Sequence, residues 1–131
     1  MTTILAAVLL SSPAIQAVRV KLDDKEILFD VPPIMRSKVT MVPVRPLINA
    51  MNGTLRWEME KGTVTIWRDP NRVDFHVGSR HANVNGKVAT MDEAAFVEKG
   101  RVFVPLKFIA LSSGYVISEE KGWIILREKK Y

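Results

Sequence analysis

The sequence predicts an α+β fold: largely antiparallel sheets with one short helix per repeat, in two pseudo-symmetric repeats. Three observations lead there. Apolar and polar residues alternate along most of the chain, as in Val18, Val20 and Leu22 against Arg19, Lys21 and Asp23, the period of a half-buried strand. Turn signals such as Asp23-Asp24-Lys25 and Asn85-Gly86-Lys87 separate these runs, so neighbouring strands are expected to double back antiparallel. Finally, the chain matches itself at an offset of 62 residues, which lays Val42-Pro43 on Val104-Pro105.

The self-match runs through the whole unit. Lys25 falls on Lys87, Asp30 on Asp92, Val44 on Leu106, Arg45 on Lys107 and Leu47 on Ile109. Slips of one residue in loops then bring Gly53 onto Gly114 and Lys61-Gly62 onto Lys121-Gly122. The expected organisation of 18–131 is a single domain: repeat 20–67, linking segment 69–81 and repeat 82–127. A repeat of this size is one supersecondary block that needs its neighbour to bury its apolar side.

Within the first unit, the strand at 18–22 turns at Asp23-Asp24-Lys25 and returns through Ile27 to Phe29. Pro32-Pro33 stops any ladder, because proline donates no N–H. A short strand from Val39 to Val42 follows. Pro43 suits the first position of a helix over 44–52, with Leu47, Ile48 and Met51 on one side and an exit at Asn52-Gly53. Leu55 with Trp57, then Val64 with Ile66, form a hairpin around a turn at Met59 to Gly62. In the linking strand Val73, Phe75 and Val77 face one way, and Arg72, Asp74 and His76 the other. The second unit repeats the plan: a strand with Val102 and Val104, a helix over 105–113, an exit at Gly114, and a hairpin of 115–118 with 123–127. Each helix is expected to cover an apolar sheet face.

Length and composition exclude several classes. A chain of 131 residues with 47% apolar and 25% charged residues has an ordinary globular make-up and buries enough surface to fold without staples. Cysteine is absent, which removes disulfides, thiolate metal sites and a cysteine nucleophile. The net charge of +5 is dispersed: basic and acidic residues alternate, with no cationic run of the kind that binds nucleic acid. Such a surface still attracts anionic polymers weakly.

The first 17 residues carry no charge, and Ile4 to Leu10 is an apolar run of seven ended by Ser11-Ser12-Pro13. This reads as the core of a secretory signal peptide over 1–17, with a cut after Ala17. The run is too short to span a bilayer. Met1-Thr2-Thr3 lacks the usual basic residue, so the start is truncated or the segment is a buried strand or helix. With a leader, the protein is secreted or held in the cell envelope, with no stable membrane insertion after cleavage.

The pattern of strand, Asn-Gly-Lys-like turn, Asp, Val-Pro-x-Arg, short helix, Gly and x-Val-x-Trp resembles the copper amine oxidase N-terminal-like domain, or stalk domain. Copy one carries Asp30, Pro33, Val42-Pro43-Val44-Arg45, Leu47, Gly53, Leu55, Trp57, Val64 and Ile66. Copy two carries Asn85-Gly86-Lys87, Asp92, Val104-Pro105-Leu106-Lys107, Gly114, Val116, Ile124 and Leu126. The resemblance covers 18–127. Copy two is the more diverged, with Ala94-Ala95 for proline, Lys107 for arginine and Ser118 for tryptophan. The resemblance implies a non-catalytic accessory module of secreted or envelope-attached bacterial proteins. It does not imply amine oxidase activity, whose copper and quinone chemistry resides in a separate, larger domain.

Site chemistry is sparse. A copper site needs several His, Cys or clustered Met ligands; only His76 and His81 are present, and the methionines are scattered. The acid pairs Asp23-Asp24, Asp92-Glu93 and Glu119-Glu120 lack the fixed spacing of an acid/base pair, and no nucleophile elbow or phosphate loop occurs. No catalytic, cofactor or metal residue is assigned. Arg45 and Lys107 sit in the first turn of each helix, where a cation is mildly unfavourable. They either pair with Asp30 and Asp92 or hold an anion. Trp67 and Trp123 fall on the outward parity of their strands, available for stacking on a ligand or for a second packed layer.

The sequence therefore points to a non-catalytic extracytoplasmic binding or structural module that contacts protein or wall polymer through its sheet surface. Its expected partner is a cell-wall polymer or an envelope protein, not nucleic acid. The alternative is a small secreted metal-dependent or hydrolytic enzyme.

Overall fold

Every short apolar run in 18–130 finds a partner strand, and the pairings cross between the two halves of the chain. A computed structural model describes residues 18–130; the leader expected at 1–17 lies outside the described residues. The elements in order are β1 (Arg19–Leu22), β2 (Lys25–Ile27), β3 (Ile34–Arg36), β4 (Val39–Pro43), α1 (Val44–Ala50), β5 (Thr54–Glu58), β6 (Thr63–Arg68) and β7 (Asn71–His76). Then come β8 (His81–Val84), β9 (Lys87–Thr90), β10 (Phe96–Glu98), β11 (Arg101–Pro105), α2 (Leu106–Ser112), β12 (Tyr115–Glu120) and β13 (Trp123–Glu128). They form three sheets, ordered β12-β13-β1-β2, β10-β11-β4-β3 and β5-β6-β7-β8-β9. All pairs are antiparallel except β1 with β13, where Arg19 faces Trp123 and Leu22 faces Leu126. The α+β class with mostly antiparallel sheets is thus the observed one.

The middle sheet brings the two halves together. Val42 faces Val104, Met41 faces Pro105 and Pro43 faces Phe103. Both strands end at proline, which cannot donate to a further rung, and the chain turns directly into a helix after each. Pro43 and Pro105 have extended ψ of 132° and 116°. They are therefore N-cap residues and not the first helical ones: α1 starts at the expected residue 44, and α2 starts one residue later than expected, at Leu106. The helices also stop short of the expected 52 and 113, because Met51 and Ser113 already leave the helical register.

Both helices lie on the face that carries Val42 and Val104, and they cross over: α1 packs on β11 and α2 on β4. Val44, Leu47, Ile48 and Met51 from α1, with Leu106, Ile109 and Ala110 from α2, form the centre of the core. Helix α1 also touches β5 and β2, and α2 touches β12 and β7, so each helix contacts both outer sheets. The parity of Val64, Ile66, Val73 and Phe75 is as expected, and all four are buried in this core.

The sequence reading missed two strands, β3 and β10. Each is the outer half of a hairpin closed by two residues at positive φ, Ser37 (52°) with Lys38 (68°), and Lys99 (53°) with Gly100 (73°). Ser-Lys is a poor chemical match to that turn, so its signal was weak. The hairpins matter because they cover the far face of the middle sheet. Phe96 stacks on Phe103 at 5.1 Å between ring centres, and the Arg36 guanidinium lies 3.6 Å over the Phe96 ring. Met41 and Phe103, outward by alternation, are fully buried there. The return strand after the first turn is also shorter than expected: it ends at Ile27, and Leu28 is 78% exposed.

Arg68 ties the halves at the end of α1. Its Nε donates to the Met51 carbonyl at 2.6 Å, and its Nη2 to the Tyr115 hydroxyl at 3.0 Å and to Glu128 Oε2 at 2.8 Å. One guanidinium thereby satisfies an orphan helix carbonyl and joins β6 to β12 and β13. The left-handed exit falls on Asn52 (φ 58°) in the first half and on Gly114 (φ 94°) in the second. Gly53 is required for another reason: a Cβ there would sit 2.8 Å from the Trp67 carbonyl oxygen and 3.0 Å from Ile48 Cγ2. Gly53→Ala is expected to destabilise the fold by about 1–3 kcal/mol through overpacking. Urea unfolding followed by tryptophan fluorescence measures this, and an unchanged midpoint would refute the contact.

Candidate functional site

Helix α1 turns its apolar side inward, which leaves Arg45 and Asn49, four residues apart, together on its outer side. Both are exposed. They line a groove of about 840 Å³. Its walls are the free edge of one outer sheet, at Ile27 and Leu28 of and after β2, and the free edge of the other, at Leu55 and Trp57 of β5. The turn before β11 closes one end with Arg101. The lining is mainly apolar with a few charged groups, the usual make-up of a ligand cleft.

The charges in the groove are arranged differently from the sequence expectation. Asp30 does not pair with Arg45. Its Oδ2 accepts from Arg101 Nη2 at 2.6 Å and Nε at 2.9 Å, because the β10–β11 hairpin carries Arg101 to the loop after β2. Those hydrogen bonds hold the Asp30 carboxyl below the ordinary aspartate range; slight desolvation opposes them, while the charge of Arg101 and the Val31 N–H add to the lowering. Glu26, the other acid in the groove, faces Arg19 at 3.5 Å. No ion pair of Arg45 occurs among the described residues.

The matching position in the second half is Lys107. It is exposed and lines a smaller groove of about 400 Å³ with Asp92, Lys38 and Glu119. Among the described residues no ion pair joins Lys107 to Asp92, so the expected contact is missing in this half as well.

Trp67 and Trp123 lie elsewhere, half-buried on the outer faces of different sheets. The Arg72 guanidinium stands 5.3 Å from the Trp67 ring centre, and Arg72 is its cross-strand partner. Trp123 has Arg19 at 4.0 Å and Lys21 at 4.4 Å. Both rings thus carry cation–π contacts. Arg45, Lys107, Trp67 and Trp123 do not form one site.

Trp57 is the site residue that sequence parity did not expose. It packs against the core with Leu55, as expected. Yet it is only half-buried, because β5 ends its sheet and no described strand covers that edge. A strand that closes a unit without a further neighbour would have been the available signal.

His76 and His81 end β7 and begin β8, and both line a groove of about 500 Å³ on the outer side of that sheet. Among the described residues no group of three or more His, Cys, Asp or Glu is placed to hold a metal ion. Two of the acid pairs contribute to structural ion pairs: Glu93 faces Arg80 at 3.1 Å and Glu120 faces Arg127 at 3.4 Å. Among the described residues no helix is long and apolar enough to cross a membrane.

A family model described as the copper amine oxidase N-terminal domain matches residues 21–125. No curated protein matches the chain.

The Asp30–Arg101 pair gives a signed pH dependence. A lowered carboxyl pKa adds stability that is present above the unfolded value and is lost as pH falls through the folded one. The Asp30 carboxyl, followed by NMR, should titrate below the ordinary value of 3.8 and move back toward it in Arg101→Gln. Titration at the ordinary value in the unaltered protein would show that the pair does not form.

Proposed function

Since the chain belongs to the copper amine oxidase N-terminal domain family, a non-catalytic domain, we propose that it is an extracytoplasmic binding or structural module that works by surface contact. Domains of this family come from secreted or periplasmic proteins. With the uncharged apolar stretch at 4–10, that favours a secreted or envelope-attached location. The partner is an envelope protein or a wall polymer.

The module is two tandem copies of one unit related by a two-fold axis at Val42 and Val104. The register supports this: 41 with 105, 42 with 104 and 43 with 103 is unchanged when each residue is shifted by the 62-residue offset of the self-match. The outer sheets follow the same rule, for β1–β2 of the first unit pairs beside β12–β13 of the second, and β5–β6 lies in one sheet with β8–β9. In the second case β7, the linking strand, is inserted between them.

The observation that carries the functional reading is the groove over α1, a mainly apolar cleft in which the cations Lys25 and Arg45 are exposed. A cleft of that make-up serves recognition and offers no paired acid and base.

The test is sedimentation with isolated bacterial envelope material, alongside metal analysis and an amine-dependent peroxide assay on the purified chain. The expected result is co-sedimentation, with copper and zinc below stoichiometric amounts and no peroxide. Stoichiometric metal with turnover would contradict the proposal and favour an enzyme.

A further inference from the structure

The groove over α1 has its acids engaged and two of its cations, Lys25 and Arg45, exposed. Among the described residues Glu26 and Asp30 are its only carboxylates, and they are engaged by Arg19 and Arg101. Arg45 stands exposed in the same cleft with Asn49 one turn along the helix. A carboxylate entering there meets no competing acid, and a guanidinium offers it a directional, charge-assisted hydrogen bond. Lys25 is a second exposed cation of the lining, at the start of β2. The remainder is mainly apolar: Leu28 is 78% exposed at the rim, and Trp57 and Leu55 form the opposite wall. An exposed leucine facing a half-buried tryptophan across a cleft is poorly suited to a sugar chain, which needs many polar partners. It suits aliphatic side chains. The volume of about 840 Å³ lies in the range of ligand clefts and exceeds what a lone small anion fills.

Building on the contact-module reading above, we infer that this groove docks a peptide segment of a partner protein in which an acidic side chain is flanked by apolar residues. Arg45 holds the carboxylate, the Asn49 amide lies beside it, and the flanking side chains rest against Leu28 and Trp57. Lys107 does not duplicate the site. Its groove has less than half the volume, at about 400 Å³, and shares its lining with Asp92 and Glu119, which compete for the cation.

The probes are acetyl-Leu-Asp-Leu-amide and its Asn analogue, titrated into the full ¹⁵N-labelled chain. The Asp peptide should shift the Arg45 side-chain N–H and the Trp57 indole N–H, and the Asn analogue should bind about tenfold more weakly, as expected for loss of a charge-assisted hydrogen bond. Arg45→Gln should reduce the Asp peptide to the level of the Asn analogue with the remaining spectrum unchanged, and Lys107→Gln should have no effect. Equal binding of the two peptides, shifts at Trp67 or Trp123 in place of Trp57, or no shifts at all would each overturn the assignment. Envelope co-sedimentation separates the two levels. If it persists while the Asp peptide fails, the groove assignment falls and the contact module stands; if it is absent in the unaltered chain, the module reading falls.

Discussion

The antiparallel junction of β4 with β11 is the constraint from which the rest of the structure follows. Val42 and Val104 face one another there and are fully buried. A proline ends each strand immediately afterwards, so the ladder must stop and the chain must leave the sheet. It leaves on both sides as a seven-residue helix, too short to be stable in isolation. Each helix therefore depends on packing, part of which comes from the other half's central strand, α1 on β11 and α2 on β4, and the rest from the outer sheets. The outer sheets then close around the two helices, and the parallel pair β1–β13 joins the first described strand to the last.

This arrangement also determines where the surface is open. α1 rests between the edges of two different sheets, and among the described residues neither β2 nor β5 has a further strand to pair with. The gap between those edges is the groove. Its charge pattern arises from topology: Asp30 and Arg101, separated by 71 positions, meet because the β10–β11 hairpin returns beside the loop after β2. Arg45, which the matched positions of the two copies suggested as the partner, is thereby left exposed. At the outer faces the cations settle over tryptophan rings and beside acids, consistent with the dispersed charge in the sequence.

Much of the fold was legible because it rests on local rules. Alternation located β1, β6, β7 and β13, and Val-Pro followed by an apolar stripe located both helices. Two kinds of feature were not legible. The hairpin partner β3 turns through Ser37 and Lys38, which carry little turn signal, and the purpose of β3 and β10, covering Met41 and Phe103, exists only once the middle sheet is assembled. The partners of the charged residues were likewise hidden, since Asp30 has two arginines within reach of a plausible argument and only the tertiary path selects Arg101. Trp57 shows the limit of parity: it points inward as alternation requires, and it still lines a groove because its strand is an edge.

If each half is completed only by the other, the domain must open as one unit. Native-state hydrogen exchange on the ladder amides of β1, β4, β11 and β13 reads this directly. The account predicts that these amides share a single opening free energy equal to that of global unfolding, with lower values confined to the edges β2, β3, β5, β9, β10 and β12. Two separate values, one for 20–67 and another for 82–127, would show halves that fold independently and would contradict it.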